Sequence, residues 1–218
     1  MTEIRLKYGE GELTAEAPHG IFAGTIGPET PEPAESPEDI VRRALDAPIG
    51  SAPLVELARG ARTASILIPG KTRVAATRVY VPALVAELER AGVPRDGIEV
   101  FLATGTHEHH LECDVAGLLG EETAARVRTV FHDCFDESGL EALGTTSYGT
   151  PVLVNRRVLD SDVRILTGRI VPHYFAGFSG GRKALIPGVA GFRTIKANHR
   201  LTLDSGSGLH PNARPCVL

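Results

Sequence analysis

An α/β fold, with a mainly parallel sheet flanked by helices, is what the 218 residues predict, on three observations. Short apolar runs recur along the chain, each compact enough for a buried strand. Between them lie stretches whose apolar residues return with helical spacing, and strands alternating with helices favour parallel pairing. The loops that follow several of these runs are rich in glycine, polar residues or histidine, as expected where ligands bind at strand carboxyl ends.

The elements follow in order. Residues 3–8 alternate as a short strand, and 9–35 is rich in Pro, Glu and Gly, a region of loops and short strands. Ser36-Pro37-Glu38-Asp39 reads as a helix start, with a capping serine, a proline at the first turn and two acids facing the positive helix end. Ile40, Val41, Ala44 and Leu45 supply its apolar face. Ala64–Ile68 is a strand, 69–77 a polar loop, and Arg78–Ala91 a helix that Gly92 stops. Ile98–Leu102 is the next strand, then the loop Ala103–His110 and a helical stretch near 111–125. Val127–Phe131, Val152–Val154 and Val163–Leu166 are further strands, the last opening a Gly-rich segment, 167–191, before a helix at about 192–200.

Composition narrows the class. Apolar residues make up 42% and charged residues 23%, which excludes a disordered tail, a fibre or a small disulfide scaffold. No apolar run approaches the roughly 18 residues of a spanning helix, so no membrane partner is expected. Cys113, Cys134 and Cys216 lack C-x-x-C spacing, against a disulfide framework or a structural zinc site. The start of the chain has no signal-peptide apolar core, and a cytoplasmic location is expected. Net charge is −4, arguing against nucleic acid, yet residues 161–218 carry 8 bases and 2 acids, a local excess suited to an anion. Lysine is scarce beside arginine: Lys7, Lys71, Lys183 and Lys196 are the only four.

Chemistry concentrates in three loops and one helix. Thr104-Gly105-Thr106-His107-Glu108-His109-His110 follows a strand, and imidazoles serve metal binding or proton transfer, though the spacing is not H-E-x-x-H. The run His173-Tyr174-Phe175-Ala176-Gly177-Phe178-Ser179-Gly180-Gly181-Arg182-Lys183 brings glycines that admit an anion, with two cations beside them. It is not a Walker A loop, because Ala184 stands where a hydroxyl would hold magnesium. Lys183 can lose its proton and form a covalent bond, as arginine cannot, and a plain phosphate contact is the other reading of it. Arg73, in Lys71-Thr72-Arg73, offers a planar fork for a carboxylate, and His199 sits near the end of a short helix.

Together, Ala103-Thr104-Gly105-Thr106-His107, the 173–183 run and His199 resemble the nickel-dependent lactate racemase family, specifically its Rossmann-like N-terminal catalytic domain, over nearly all of residues 1–218. The resemblance implies a racemase or epimerase of a 2-hydroxy acid that works by hydride transfer with two-histidine acid/base catalysis. It implies two cofactors in one: nickel, and a pyridinium-3,5-bisthiocarboxylic acid mononucleotide, the nickel pincer nucleotide, linked to Lys183. Gly177, Ser179, Gly180, Gly181 and Arg182 would complete the cofactor-binding set, His199 would ligate nickel, His107 and His173 would be the catalytic pair, and Arg73 would hold the substrate carboxylate. Pro69-Gly70 departs from the family, which commonly has an aspartate shortly before the Thr-Arg. The family also carries a C-terminal domain, which this sequence is expected to lack. Two other readings stay open beside the isomerase: a non-catalytic nucleotide- or metal-binding module, including an inactive fragment of such an enzyme, and an unrelated Schiff-base enzyme using Lys183.

Overall fold

A computed structural model of the chain describes residues 1–9, 11–24, 34–70, 73, 75–107, 112–173 and 176–203, with the backbone alone for 112–114. Two units are distinguished, residues 1–34 and 35–218. In the first, β1 (Thr2–Tyr8) pairs antiparallel with β2 (Gly11–Ala17), Leu6 opposite Leu13 and Ile4 opposite Ala15. The period of two puts Ile4, Leu6, Leu13 and Ala15 on one face and Glu3, Arg5, Glu12 and Glu16 on the other.

The second unit opens with α1 (Pro37–Asp46), which starts where the sequence predicts: the Ser36 hydroxyl accepts the Asp39 N–H at 3.1 Å, and Glu38 and Asp39 occupy the first turn. The short α2 (Leu54–Leu57) leads into β3 (Ala64–Pro69), α3 (Thr77–Arg90) and β4 (Ile98–Ala103). Then come α4 (Glu112–Leu119), α5 (Glu121–Arg126) and β5 (Arg128–Phe131). The single helical stretch expected near 111–125 is two helices, because Gly120 takes φ of +81° and breaks the ladder between them.

Next are β6 (Leu140–Thr145), β7 (Pro151–Asn155), α6 (Arg156–Asp160) and β8 (Val163–Leu166). The strand expected at Val152–Val154 is real, but it does not join the parallel sheet. It pairs antiparallel with β6, a strand the sequence reading missed because only Leu140 of it is buried. The segment 167–191 is more ordered than its glycines suggest, holding β9 (Pro172–His173), β10 (Gly177–Phe178) and α7 (Arg182–Leu185) before α8 (Phe192–Arg200).

The central sheet is parallel throughout, in the order β5-β4-β3-β8. Its alternation sorts the core into two layers. Ile66, Ile68, Val100 and Leu102 face Val81, Leu84, Val85 and Leu88 of α3, and Val115 and Leu119 of α4. Leu67 and Phe101 point the other way, onto Val154, Val158, Ala184 and Val189. At roughly 25 cal/mol per Å² of apolar surface removed from water, these two layers supply most of the driving force of the unit. The chain leaves β3 towards one face and β8 towards the other, so their carboxyl ends form a topological switch point.

The opposite end of the same two strands is tied by Asp162, whose carboxylate accepts the Arg62 N–H at 2.8 Å, the Thr63 N–H at 3.0 Å and the Thr63 hydroxyl at 3.1 Å. These bonds, led by the one from Arg62, hold its pKa below the ordinary carboxylate value. The folded state therefore binds the proton more weakly than the unfolded chain. The stabilisation is complete above the unfolded pKa and is lost as pH falls through the lower folded one. Asp162→Ala is expected to lower the melting temperature at pH 7, with the gap to wild type narrowing below about pH 4 in thermal melts. A gap independent of pH would contradict this account.

Candidate active site

The switch point is hollow. A cavity of about 330 Å³ opens at the carboxyl ends of β3, β4 and β8, walled by the three loops that the sequence singles out. The loop after β3 contributes Pro69 and the exposed Arg73, whose N–H donates to Gly70 O at 3.0 Å; Lys71 and Thr72 lie outside the described residues.

The loop after β4 turns on Gly105, at φ of +57°, which donates its N–H to Gly188 O at 2.9 Å. His107 N–H closes the turn on Thr104 O at 3.1 Å, and the exposed His107 stands on the cavity wall. Thr104 is 5% exposed, and its hydroxyl oxygen is buried without a hydrogen-bond partner beside the cavity. Glu108, His109 and His110 lie outside the described residues.

The third wall runs from Thr167 to Lys183. Ser179 stitches it: its hydroxyl donates to Arg169 O at 2.7 Å and accepts the Val171 N–H at 3.0 Å, while its own N–H donates to Val171 O at 2.8 Å. His173 lies in the small hairpin beyond, opposite Gly177, which turns at φ of +73°. Tyr174 and Phe175 are not described. Burial lowers the His173 pKa, and so do Lys183, Arg73 and His199, which places these groups within electrostatic reach of its ring.

Lys183 lines the cavity from α7. Burial first, then Arg73 and Arg182, bring its pKa down from 10.5 to about 8. A substantial fraction of neutral amine at neutral to mildly basic pH follows, a condition for nucleophilic attachment. His199 reaches the cavity from α8, and its Nδ1 lies 2.8 Å from Ile195 O. A carbonyl oxygen only accepts, so Nδ1 carries a hydrogen, and in the neutral ring the lone pair is on Nε2. A backbone-anchored imidazole of this kind is the usual form of a metal ligand.

Of the ten site residues expected from the sequence, Arg73, His107, Ser179, Gly180, Lys183 and His199 line this one cavity. His173 is linked to it electrostatically. Gly177, Gly181 and Arg182 are not part of the lining. Gly181 has a packing role, since a Cβ there would sit 2.6 Å from Leu166 O. Arg182 is exposed and acts on Lys183 by its charge.

Thr104, Thr167 and Gly188 also line the cavity and were given no role from sequence. The signal for the first two was their place directly after strands. Gly188 shows no such signal: a Cβ on it would meet Ala184 O at 2.3 Å and the Ala103 side chain at 2.7 Å, contacts made only in the fold. Gly188→Ala is expected to cost about 1–3 kcal/mol in chemical denaturation, the range of overpacked cores. A cost under a few tenths of a kcal/mol would mean that this approach relaxes freely.

The resemblance implies a nickel-bearing mononucleotide in this cavity. Among the described residues no three His, Cys, Asp or Glu converge as a metal site. A group that brings metal ligands of its own, as a pincer nucleotide does, would not need such a cluster beside His199. The buried Thr104 hydroxyl and the cations Arg73, Arg169 and Lys183 suit an anionic, polar ligand. The residues fit. Among the described residues, no helix is long and apolar enough to cross a membrane.

Comparisons with known proteins give the family and the fold. A family model described as the lactate racemase N-terminal domain matches residues 8–209. Two curated relatives are lactate racemases, from Thermoanaerobacterium thermosaccharolyticum (32% identical over 91% of this chain and 47% of the relative) and Lactiplantibacillus plantarum (33%, with the same shares). The chain thus spans about half the length of the curated relatives it matches. The solved structure of the T. thermosaccharolyticum lactate racemase apoprotein superposes with a TM-score of 0.83 at 30% identity, covering 95% of this chain and 49% of that one. A Thermotoga maritima protein shares the fold, with a TM-score of 0.61 at 24% identity over 76% of this chain and 41% of that one.

Proposed function

Because the chain belongs to the lactate racemase N-terminal domain family, we propose that it is the cofactor-bearing part of an isomerase inverting a 2-hydroxy acid such as lactate. The observation that carries this reading is the convergence of Lys183, His199, His107 and Arg73 on one cavity, from four different loops and helices.

The bound group, a nickel-carrying pyridinium mononucleotide, supplies a hydride acceptor that no side chain offers. Lys183 provides its covalent anchor, and the His199 Nε2 lone pair a ligand for nickel. Arg169 and the exposed Arg182 lend positive charge for the nucleotide phosphate. Arg73 pairs with the substrate carboxylate and fixes its orientation.

Inversion needs proton transfer at the substrate hydroxyl on either face of the reacting carbon. His107 comes from the loop after β4, on the cavity wall, and His173 from the hairpin after β8, beyond it; in this reading the two serve opposite faces of the substrate. Each takes the hydroxyl proton in one direction and returns it in the other. Burial, and then the neighbouring charges, lower the His173 pKa and so favour its neutral, proton-accepting form. A cytoplasmic setting belongs to the same reading.

The test is chiral chromatography of lactate and related 2-hydroxy acids, incubated with the chain after co-expression with cofactor-synthesis enzymes. Appearance of the opposite enantiomer is expected. A Lys183 adduct without any inversion would favour a non-catalytic binding module instead. His199→Ala is expected to lose most of its nickel by elemental analysis while keeping the Lys183 adduct; full nickel retention would remove His199 from the ligand set.

A further inference from the structure

At the switch point, the segments leaving β3 and β8 diverge to opposite faces of the sheet, which would leave the crevice between them open. A short chain of hydrogen bonds crosses it. Thr167, the first residue after β8, donates its N–H to Leu67 O at 3.1 Å and its hydroxyl hydrogen to the same oxygen at 2.7 Å. With that hydrogen committed, the 2.9 Å bond between Thr167 Oγ1 and the half-buried Tyr80 of α3 has one polarity: the phenol donates and Thr167 accepts.

Beyond Thr167 the backbone is cavity wall: Gly168, Arg169, Val171 and Gly180 all line it. Gly168 packs so closely that a Cβ would lie 3.2 Å from the Gly180 carbonyl carbon. A shift at Thr167 therefore carries to Gly180, near the Lys183 anchor.

We propose that Tyr80 is a positioning residue of this cavity: by donating to Thr167 it fastens the wall after β8 to the end of β3 and so shapes the place where a mononucleotide binds. The ligand class rests on the function proposed above; the strut itself does not. Tyr80 acts through Thr167 and is assigned no contact with ligand.

Hydrogen exchange read by mass spectrometry on the full chain tests it, together with calorimetric titration of nicotinic acid mononucleotide as a pyridine mononucleotide probe. Tyr80→Phe is expected to speed exchange across 167–171 by about tenfold, the worth of one hydrogen bond, and Thr167→Val, which also loses the hydroxyl bond to Leu67 O, by at least as much, with 64–69 and 98–103 unchanged. Both should weaken the probe about as much. Thr167→Ser, which keeps the hydroxyl, should behave as wild type, and the double variant should be no worse than Thr167→Val alone.

A purely structural bond would lower the melting temperature without this local, serine-rescued pattern. Unchanged exchange at 167–171 in Tyr80→Phe overturns the strut, and loosened exchange with unaltered probe affinity overturns its role in the site. If wild type shows the exchange pattern's protection yet does not bind the probe, the strut stands and the mononucleotide reading of the cavity fails.

Discussion

Lys183→Arg is expected to abolish covalent loading of the cavity, taking the modified fraction from most of the protein to none by intact mass. The two side chains carry the same charge and similar length. They differ in that guanidinium does not lose its proton in a protein, whereas the Lys183 ammonium sits near a pKa of about 8. Burial and the cations Arg73 and Arg182 cause that lowering. Because the folded value lies below the unfolded one, the unfolded chain holds more protons between about 8 and 10.5, and this group makes stability rise with pH across that window. The rate at which Lys183 reacts with an amine-directed reagent should share the same midpoint, near 8. An adduct surviving in Lys183→Arg would place the attachment elsewhere.

His107→Ala and His173→Ala are each expected to leave the adduct and the nickel in place and to slow inversion by about 10²- to 10⁴-fold, the usual contribution of a positioned acid or base. Inversion uses both histidines in either direction, so each single loss should slow both directions alike. His173 has its pKa lowered by burial and then by Lys183, Arg73 and His199. Its neutral form is therefore kept to lower pH than a free imidazole, and the acid limb it sets should lie below about 6.5. Chiral assays on a polypeptide containing this chain decide the point. Full activity in either variant would end the two-base assignment.

What could be read from the sequence follows from what local patterns encode. The β3, β4 and β8 strands are legible as buried apolar runs, and α1 by its Ser36-Pro37 start; the helix expected at about 192–200 is α8. The β6–β7 hairpin did not, because one exposed face and a single buried leucine leave little periodicity to detect. Gly120 is legible as a glycine but not as a break, since its φ of +81° between α4 and α5 is a property of the folded backbone.

The candidate site was legible as residue types: an unusual lysine, clustered histidines and a glycine-rich run. Their meeting was not, because Arg73 and His199 are joined only by the parallel order β5-β4-β3-β8 and the return of the chain over the sheet. The division of labour within the glycine-rich run also needed the fold. Ser179 spends its hydroxyl on the Arg169 carbonyl, Gly181 packs on Leu166 O, and Lys183 alone of the 181–183 triplet lines the cavity.

On the function proposed above, this cavity holds a nickel-bearing mononucleotide on Lys183. Peptide mapping of wild-type chain, co-expressed with cofactor-synthesis enzymes, tests it most directly when paired with nickel analysis of the same sample. Trypsin cuts after Arg182 but not after a modified lysine, so the account predicts a mass-shifted peptide spanning Lys183–Arg193, with about one nickel per modified chain. An unmodified Lys183 under those conditions, or an adduct mapping to another residue, would contradict it.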